Sequence, residues 1–159
     1  TRQLERLDKA SRRRNAKLEG AVVIADPNSG DVIALVGGRD AGFDGFNRAL
    51  DARRPIGSRV KPAVFLAALE TGRYGPHTIV EDAPIELKLA DGKRWAPQNY
   101  TREVYGPVPL VFALGESLNL ATVRVGLDVG LPVVARTLTK LGLERRPAPH
   151  PSLLLGAVD

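Results

Sequence analysis

The sequence has no cysteine and no methionine, only two histidines, and few aromatic residues: one tryptophan, three tyrosines and four phenylalanines in 159 residues. The absence of cysteine excludes disulfides, Cys-ligated zinc and a thiol nucleophile, and is compatible with an oxidising compartment without demonstrating one. His77 and His150 stand in proline-containing loops far apart in the sequence. Neither has a partner at metal-ligand spacing, so both read as surface residues rather than metal ligands. No apolar run approaches the roughly 18 residues that a membrane span needs. The first residues, Thr1-Arg2-Gln3-Leu4-Glu5, are polar and do not form a signal peptide, so a targeting segment of an exported parent would lie upstream. There is no repeat and no low-complexity tract.

What is present has the balance of a soluble globular domain, 43% hydrophobic and 26% charged, in a chain long enough for one real core. The net charge is +5, with its densest clusters at Arg12-Arg13-Arg14, Arg53-Arg54 and Arg145-Arg146. No zinc spacing, RNP-like aromatic motif or basic heptad accompanies them, so they read as a solvated basic surface and no nucleic-acid partner is expected. Attraction to an anionic polymer or membrane surface is consistent with the charge.

Residues 1–19 are charged and read as a surface connector. Ala21–Ala25 and Asp31–Val36 are β-branched runs joined by Asp26-Pro27-Asn28-Ser29-Gly30, which is turn chemistry. They predict a β-hairpin, and their nearly continuous apolar character predicts that both faces are covered. Arg54–Pro62 leads into an apolar run that predicts a buried helix from near Ser58 to about Glu70, stopped by Gly72 and Gly75. Pro76–Tyr105 is long and polar, with extended pieces at Ile79-Val80, Ile85-Glu86-Leu87 and Trp95. From Pro109 the pattern is helical. Leu110–Leu114 forms a first short helix, Leu120, Val123 and Leu127 mark a second, and Val134, Leu138 and Leu141 a third opened by Pro132 and capped by Gly142.

Two short motifs carry chemistry. Ser58 and Lys61 are three apart at a helix start, so they share a face. A serine hydroxyl is a weak nucleophile until a base takes its proton, and a lysine amine serves when its surroundings favour the neutral form. The helix N-terminus adds unpaired N–H groups suited to a developing oxyanion. Alone, Ser-x-x-Lys is equally a capping serine followed by a solvated lysine. Between the first two predicted C-terminal helices stands Ser117-Leu118-Asn119, which offers a hydroxyl for proton relay and a carboxamide able to bond a peptide. Alone, that too is ordinary capping chemistry.

Together and in order, Ser-x-x-Lys and Ser-x-Asn are the signature of penicillin-binding proteins and class A β-lactamases. The context extends the match: Asp26 to Gly38, Phe46-Asn47-Arg48-Ala49, Ala52-Arg53-Arg54, Gly57 to Pro62, Trp95-Ala96-Pro97-Gln98-Asn99-Tyr100 and Ser117 to Thr122 follow in sequence. The chain resembles the transpeptidase domain of class A, bifunctional penicillin-binding proteins over residues 20 to 158. The resemblance implies an α+β fold of the penicillin-binding protein and serine β-lactamase type. In it the chain supplies the N-terminal hairpin of an antiparallel sheet and the helical subdomain.

The activity it implies is D,D-transpeptidation in peptidoglycan synthesis, with no metal or organic cofactor needed. Ser58 would be the nucleophile, its N–H half of an oxyanion hole, Lys61 its base, Ser117 the proton relay and Asn119 the residue that orients substrate. The implied partners are D-Ala-D-Ala stem peptides as donors, amine-bearing stem peptides as acceptors, β-lactam antibiotics, and proteins of cell-wall synthesis. The implied location is the outer face of the bacterial cytoplasmic membrane, with the anchor upstream.

The family's third motif, Lys-Thr-Gly on a strand, has no counterpart; Lys140-Leu141-Gly142 reads as a helix end. Residues 1–19 are therefore expected to connect from an upstream domain and residues 20–159 to be a partial transpeptidase domain, inactive as an isolated segment. The alternatives are a non-catalytic module that binds peptidoglycan or a cell-wall synthesis partner, and a serine β-lactamase or D,D-carboxypeptidase. A β-lactamase needs a glutamate to activate the deacylating water. Glu144 is the only acidic residue between Asp128 and Asp159, and its Arg145-Arg146-Pro147 context does not resemble that loop.

Overall fold

The computed structural model describes residues 2–10, 17–40, 42–145 and 147–157. Arg12-Arg13-Arg14 and Arg146 of the basic clusters lie outside the described residues. The chain divides into two compact units, Thr1–Arg53 and Arg54–Asp159.

In the first unit, helix α1 (Arg2–Ala10) is followed by an antiparallel hairpin of β1 (Val22–Ala25) and β2 (Val32–Val36). Val22 pairs with Val36 and Val23 with Leu35, and the register slips between Ile24 and Ala25. Asp26 closes the turn by accepting the N–H groups of Asn28 at 2.7 Å and Ser29 at 3.1 Å, which holds its carboxyl below the usual range. Arg39 donates to Asp8 of α1 at 2.7 Å and to the Leu18 carbonyl at 3.0 Å, so the segment after β2 is tied to the helix.

The hairpin itself is as the sequence predicts, but its faces are not covered. Its large side chains expose between 38% (Leu35) and 66% (Ile33) of their surface. β-Branched runs specify pairing; a covering layer is a separate, non-local requirement that such runs do not encode.

The second unit holds the core. A 3-10 turn, Gly57–Val60, leads directly into α2 (Lys61–Glu70), with Pro62 in the first helical turn, where its missing N–H costs nothing. The α-helix thus starts three residues later than Ser58, while its end at Glu70 is as predicted. Val60, Val64, Phe65, Ala67 and Ala68 are buried, which makes α2 the central element. It packs against α4 (Asn119–Val129), α5 (Leu131–Lys140) and a second 3-10 segment, Pro151–Leu155. Val123 and Val125 of α4, Val134 and Leu138 of α5, and Leu153 and Leu154 complete this core. Each large aliphatic or aromatic side chain fully buried here contributes about 1.5–3 kcal/mol.

The polar stretch from Pro76 to Tyr105 is more structured than its composition suggests. Strand β3 (Ile79–Asp82) pairs with β6 (Gly106–Pro109), and β4 (Leu87–Lys88) pairs with β5 (Arg94–Trp95), both antiparallel. Val80 and Val108 face each other in the register and are both buried. Prolines at alternate positions, Pro107 and Pro109, remove donors on one side of the strand only, so pairing through Val108 survives. Helix α3 (Leu110–Gly115) follows at once, then α4 and α5. The fold is mixed α+β, with helices and small antiparallel sheets. Lys140 is the last residue of α5 and Gly142 has φ +98°, so Lys140-Leu141-Gly142 is a helix end.

Candidate active site

Ser58 sits in the 3-10 turn with its side chain exposed. Among the described residues its hydroxyl makes no hydrogen bond. Its backbone N–H is also open, flanked by Gly57, whose N–H bonds the Gly156 carbonyl at 3.2 Å, and Arg59, whose N–H bonds Ile56 at 3.4 Å. The Lys61 N–H closes the turn on the Ser58 carbonyl. One turn further in, Lys61 is 2% exposed and has no carboxylate partner among the described residues. Its ammonium is held by neutral oxygens: Ser117 Oγ at 2.9 Å, Asn119 Oδ1 at 2.6 Å and the Ser117 carbonyl. Desolvation disfavours the charge, and the pKa falls from 10.5 to about 8. At pH 7 about one amine in ten is then neutral, against about one in 3,000 at the ordinary value.

Ser117 and Asn119 come from the connection between α3 and α4. Ser117 has φ +55°, a left-handed conformation that costs a non-glycine residue about 1–2 kcal/mol. It is held there because its N–H bonds Leu114 at 3.1 Å, while the Leu118 N–H reaches back to Ala113 at 2.9 Å. This turn puts both the hydroxyl and the carbonyl of Ser117 on the Lys61 amine. Asn119 is the first residue of α4; its carboxamide oxygen accepts from Lys61, and Nδ2 donates to the Gln98 carbonyl at 2.7 Å. Three of the four residues singled out in the sequence are thus joined directly, across 56 to 58 positions of chain. The fourth, Ser58, is joined through the backbone turn. A neutral amine against a hydroxyl can pass a proton in either direction, and an open N–H at an exposed serine can receive an oxyanion.

Two further polar residues were assigned no role by the sequence. Asp82, at the end of β3, is completely buried. Asn99, also buried, donates Nδ2 to Asp82 at 2.8 Å and to the Glu103 carbonyl at 2.9 Å. Its Oδ1 accepts the N–H groups of Asn119 at 2.7 Å and Leu120 at 3.2 Å. Asp82 accepts the Ala121 N–H at 3.2 Å and the Tyr105 N–H at 3.0 Å. The only advance signal was Asn99 itself, one residue of a longer matched stretch; nothing marked Asp82.

Comparison with known proteins gives the family. The sequence matches the penicillin binding protein transpeptidase domain over residues 20–149. It is 49% identical over 142 residues to penicillin-binding protein 1B of Vibrio cholerae, covering 88% of this chain and 18% of that protein. It is 45% identical over 151 residues to penicillin-binding protein 1B of Escherichia coli, covering 92% of this chain and 18% of that one. The chain belongs to the penicillin-binding protein transpeptidase family. It spans about a fifth of the length of these relatives. Among solved structures, penicillin-binding protein 1A of Haemophilus influenzae superimposes with a TM-score of 0.82 at 31% identity, over 88% of this chain and 21% of that one. PonA1 of Mycobacterium tuberculosis, in complex with penicillin V, gives 0.72 at 28% identity, over 87% and 39%.

In this transpeptidase family member the serine turn is braced from the far end of the chain. Gly156 ends the second 3-10 segment with φ +78°, and a Cβ there would lie 2.1 Å from the Gly57 carbonyl oxygen and 2.4 Å from the Gly57 nitrogen. Both obstacles are backbone, so no rotamer change relieves them. Gly156→Ala is expected to cost roughly 2–4 kcal/mol, read as a lower melting temperature, and to slow acylation by shifting the Ser58 turn. An unchanged melting temperature would show that the two turns do not support each other. A cleft of about 290 Å³ adjoins the site through Gln98, Asn99 and Leu120. The larger cavity, about 620 Å³, lies in the first unit between Leu35–Arg48 and Lys17–Glu19 and contains none of the four residues.

Proposed function

We propose that this chain carries the serine acylation site of a peptidoglycan D,D-transpeptidase. The observation that carries this reading is the buried, desolvated Lys61 amine held by Ser117 and Asn119 one turn from the exposed Ser58. Ser58 Oγ attacks the carbonyl carbon of the penultimate D-Ala of a stem peptide, and its proton passes to neutral Lys61. The Ser58 N–H supports the oxyanion. The proton then returns through Ser117 to the departing D-Ala amine as the peptide C–N bond breaks. The amine of a second stem peptide attacks the acyl-enzyme ester, forms the crosslink and restores the Ser58 hydroxyl. Asn119, which keeps one carboxamide N–H beyond its bond to Gln98, orients the stem-peptide backbone.

A β-lactam enters by the same first step: Ser58 Oγ bonds to the lactam carbonyl, the ring C–N bond opens and the nitrogen takes the proton. The penicillin V complex of the related PonA1 supports this. The setting is the cell envelope, at the outer face of the cytoplasmic membrane, where the donor and acceptor stem peptides lie; among the described residues no helix is long and apolar enough to cross a membrane.

Residues 20–159 are expected to be inactive as an isolated segment, so the test is the mass of the full-length protein that carries them, before and after incubation with penicillin, followed by peptide mapping. One stable adduct of one penicillin mass, on the peptide containing Ser58, is the expected result. Rapid hydrolysis of penicillin without a persistent adduct would instead indicate a β-lactamase, and no reaction at all would indicate a binding module.

A further inference from the structure

We infer that Asp82 and Asn99 are positioning residues for acylation: together they cap the helix that carries Asn119 and so set the oxygens that hold Lys61. The inference rests on the transpeptidase reading of the site.

The first N–H groups of an α-helix have no partner within the helix. In α4 the N-cap residue is Leu118, whose side chain cannot accept a hydrogen bond. The cap is therefore supplied from outside, by two side chains remote in sequence. Asn99 Oδ1 takes the N–H groups of Asn119 and Leu120, and Asp82 Oδ1 takes that of Ala121. A carboxylate at this position also complements the positive end of the helix dipole. The intrahelical pattern begins only with Thr122, whose N–H bonds Leu118 at 3.3 Å.

The pair is built so that each member orients the other. Asp82 Oδ2 accepts from Asn99 Nδ2 and from the Tyr105 N–H, while the second Nδ2 hydrogen reaches the Glu103 carbonyl. Asn99 thereby spends both donors and uses its oxygen twice, which fixes its carboxamide in one orientation. The adjoining Gln98 carbonyl fixes the Asn119 carboxamide, leaving Oδ1 directed at Lys61 at 2.6 Å. Hydrogen bonds therefore link Asp82 to Asn99 and Asn99 to the backbone of Asn119, whose side chain holds Lys61. Neither Asp82 nor Asn99 hydrogen-bonds the amine or Ser58 among the described residues. Their effect is indirect: loosening the first turn of α4 moves Asn119 and the left-handed Ser117 turn that precedes it.

The experiment is penicillin acylation by the intact protein, followed by stopped-time mass spectrometry over a range of penicillin concentrations. Asn99→Ala and Asp82→Asn are each expected to lower the limiting acylation rate by roughly 10- to 100-fold, leaving the half-saturating concentration within about threefold, with the adduct still on Ser58. Asp82→Asn keeps the size of the side chain but brings an amide donor to a site that uses only acceptors, so it loses either the Ala121 N–H or the Asn99 and Tyr105 donors.

A folded Asn99→Ala protein that acylates at the parent rate would overturn the inference. Where Asn99→Ala does not fold, Asp82→Asn decides: a folded Asp82→Asn protein that acylates at the parent rate would assign the pair a purely structural role. An unsubstituted protein that forms no adduct would overturn the transpeptidase reading itself, an outcome distinct from either.

Discussion

Ser58→Ala is expected to abolish the penicillin adduct in the intact protein while leaving its unfolding free energy within about 0.5 kcal/mol. The two halves of this expectation have separate causes. The Ser58 side chain is exposed and its hydroxyl makes no hydrogen bond among the described residues, so its removal breaks no structural contact. The turn around it is held by the backbone, through Gly57 to Gly156 and Lys61 to Ser58, and alanine preserves both bonds. The chemistry has no such reserve, because acylation needs an oxygen at that position. The other hydroxyl of the site is Ser117, which is engaged by Lys61 at 2.9 Å. A penicillin adduct that persists in Ser58→Ala and maps to Ser117 would reverse the assignment of nucleophile and relay. A large loss of stability would mean that the exposed hydroxyl has a structural partner.

Lys61→Met is expected to slow acylation by about 10²–10⁴-fold, the usual contribution of a positioned base. It should also change how stability depends on pH. The Lys61 pKa is lowered from 10.5 to about 8, so between those values the unfolded chain binds more protons than the folded one. Stability therefore rises with pH across that window, and the cost of the buried charge is fully present below about pH 8. Its size is on the order of 3 kcal/mol, from 2.5 pH units at about 1.4 kcal/mol each.

Methionine removes that cost but leaves three oxygens without their donor, each worth about 1–3 kcal/mol when buried and unpaired. The net change at pH 7 is a small difference of large quantities; the pH dependence is the clean signal. The stability of the parent relative to Lys61→Met should rise by about 3 kcal/mol between pH 7 and pH 10.5, measured by urea unfolding at each pH. Acylation by the parent should climb with pH to a plateau above about pH 8, a limb that the variant lacks. Parallel stability curves for the two proteins would show that Lys61 is not desolvated in solution.

How much of this was legible in the sequence depends on the range of the interactions. The helices α3, α4 and α5 were readable because Pro132, Gly115 and Gly142 punctuate them and their apolar residues recur at helical spacing. The hairpin was readable because Asp26 to Gly30 can hardly be anything but a turn. Ser58-x-x-Lys61 and Ser117-x-Asn119 could be found as motifs because three-residue spacing is a local property, and their order along the chain identified the family that the comparisons establish.

Other features were decided only by tertiary structure. The sequence put Ser58 and Lys61 on one face; packing of α2 on α4 adds the contacts of the Lys61 amine with Ser117 and Asn119, with Ser58 one turn away on a 3-10 segment. Asp82 in a short strand and Asn99 in a polar loop look ordinary until β3 and that loop converge on the open N-terminus of α4. Pro107 and Pro109 concealed strand β6, since proline argues against a strand except where the missing donors face an open edge. The apolar hairpin implied a cover, yet both its faces are exposed. By itself the sequence determined the local elements, the two motifs and the family, because backbone propensity and turn chemistry act over a few residues. The tertiary structure decided which oxygens hold the lysine and what caps the helix that bears them, because those bonds join groups 20 to 58 residues apart and exist only once the core has brought them together.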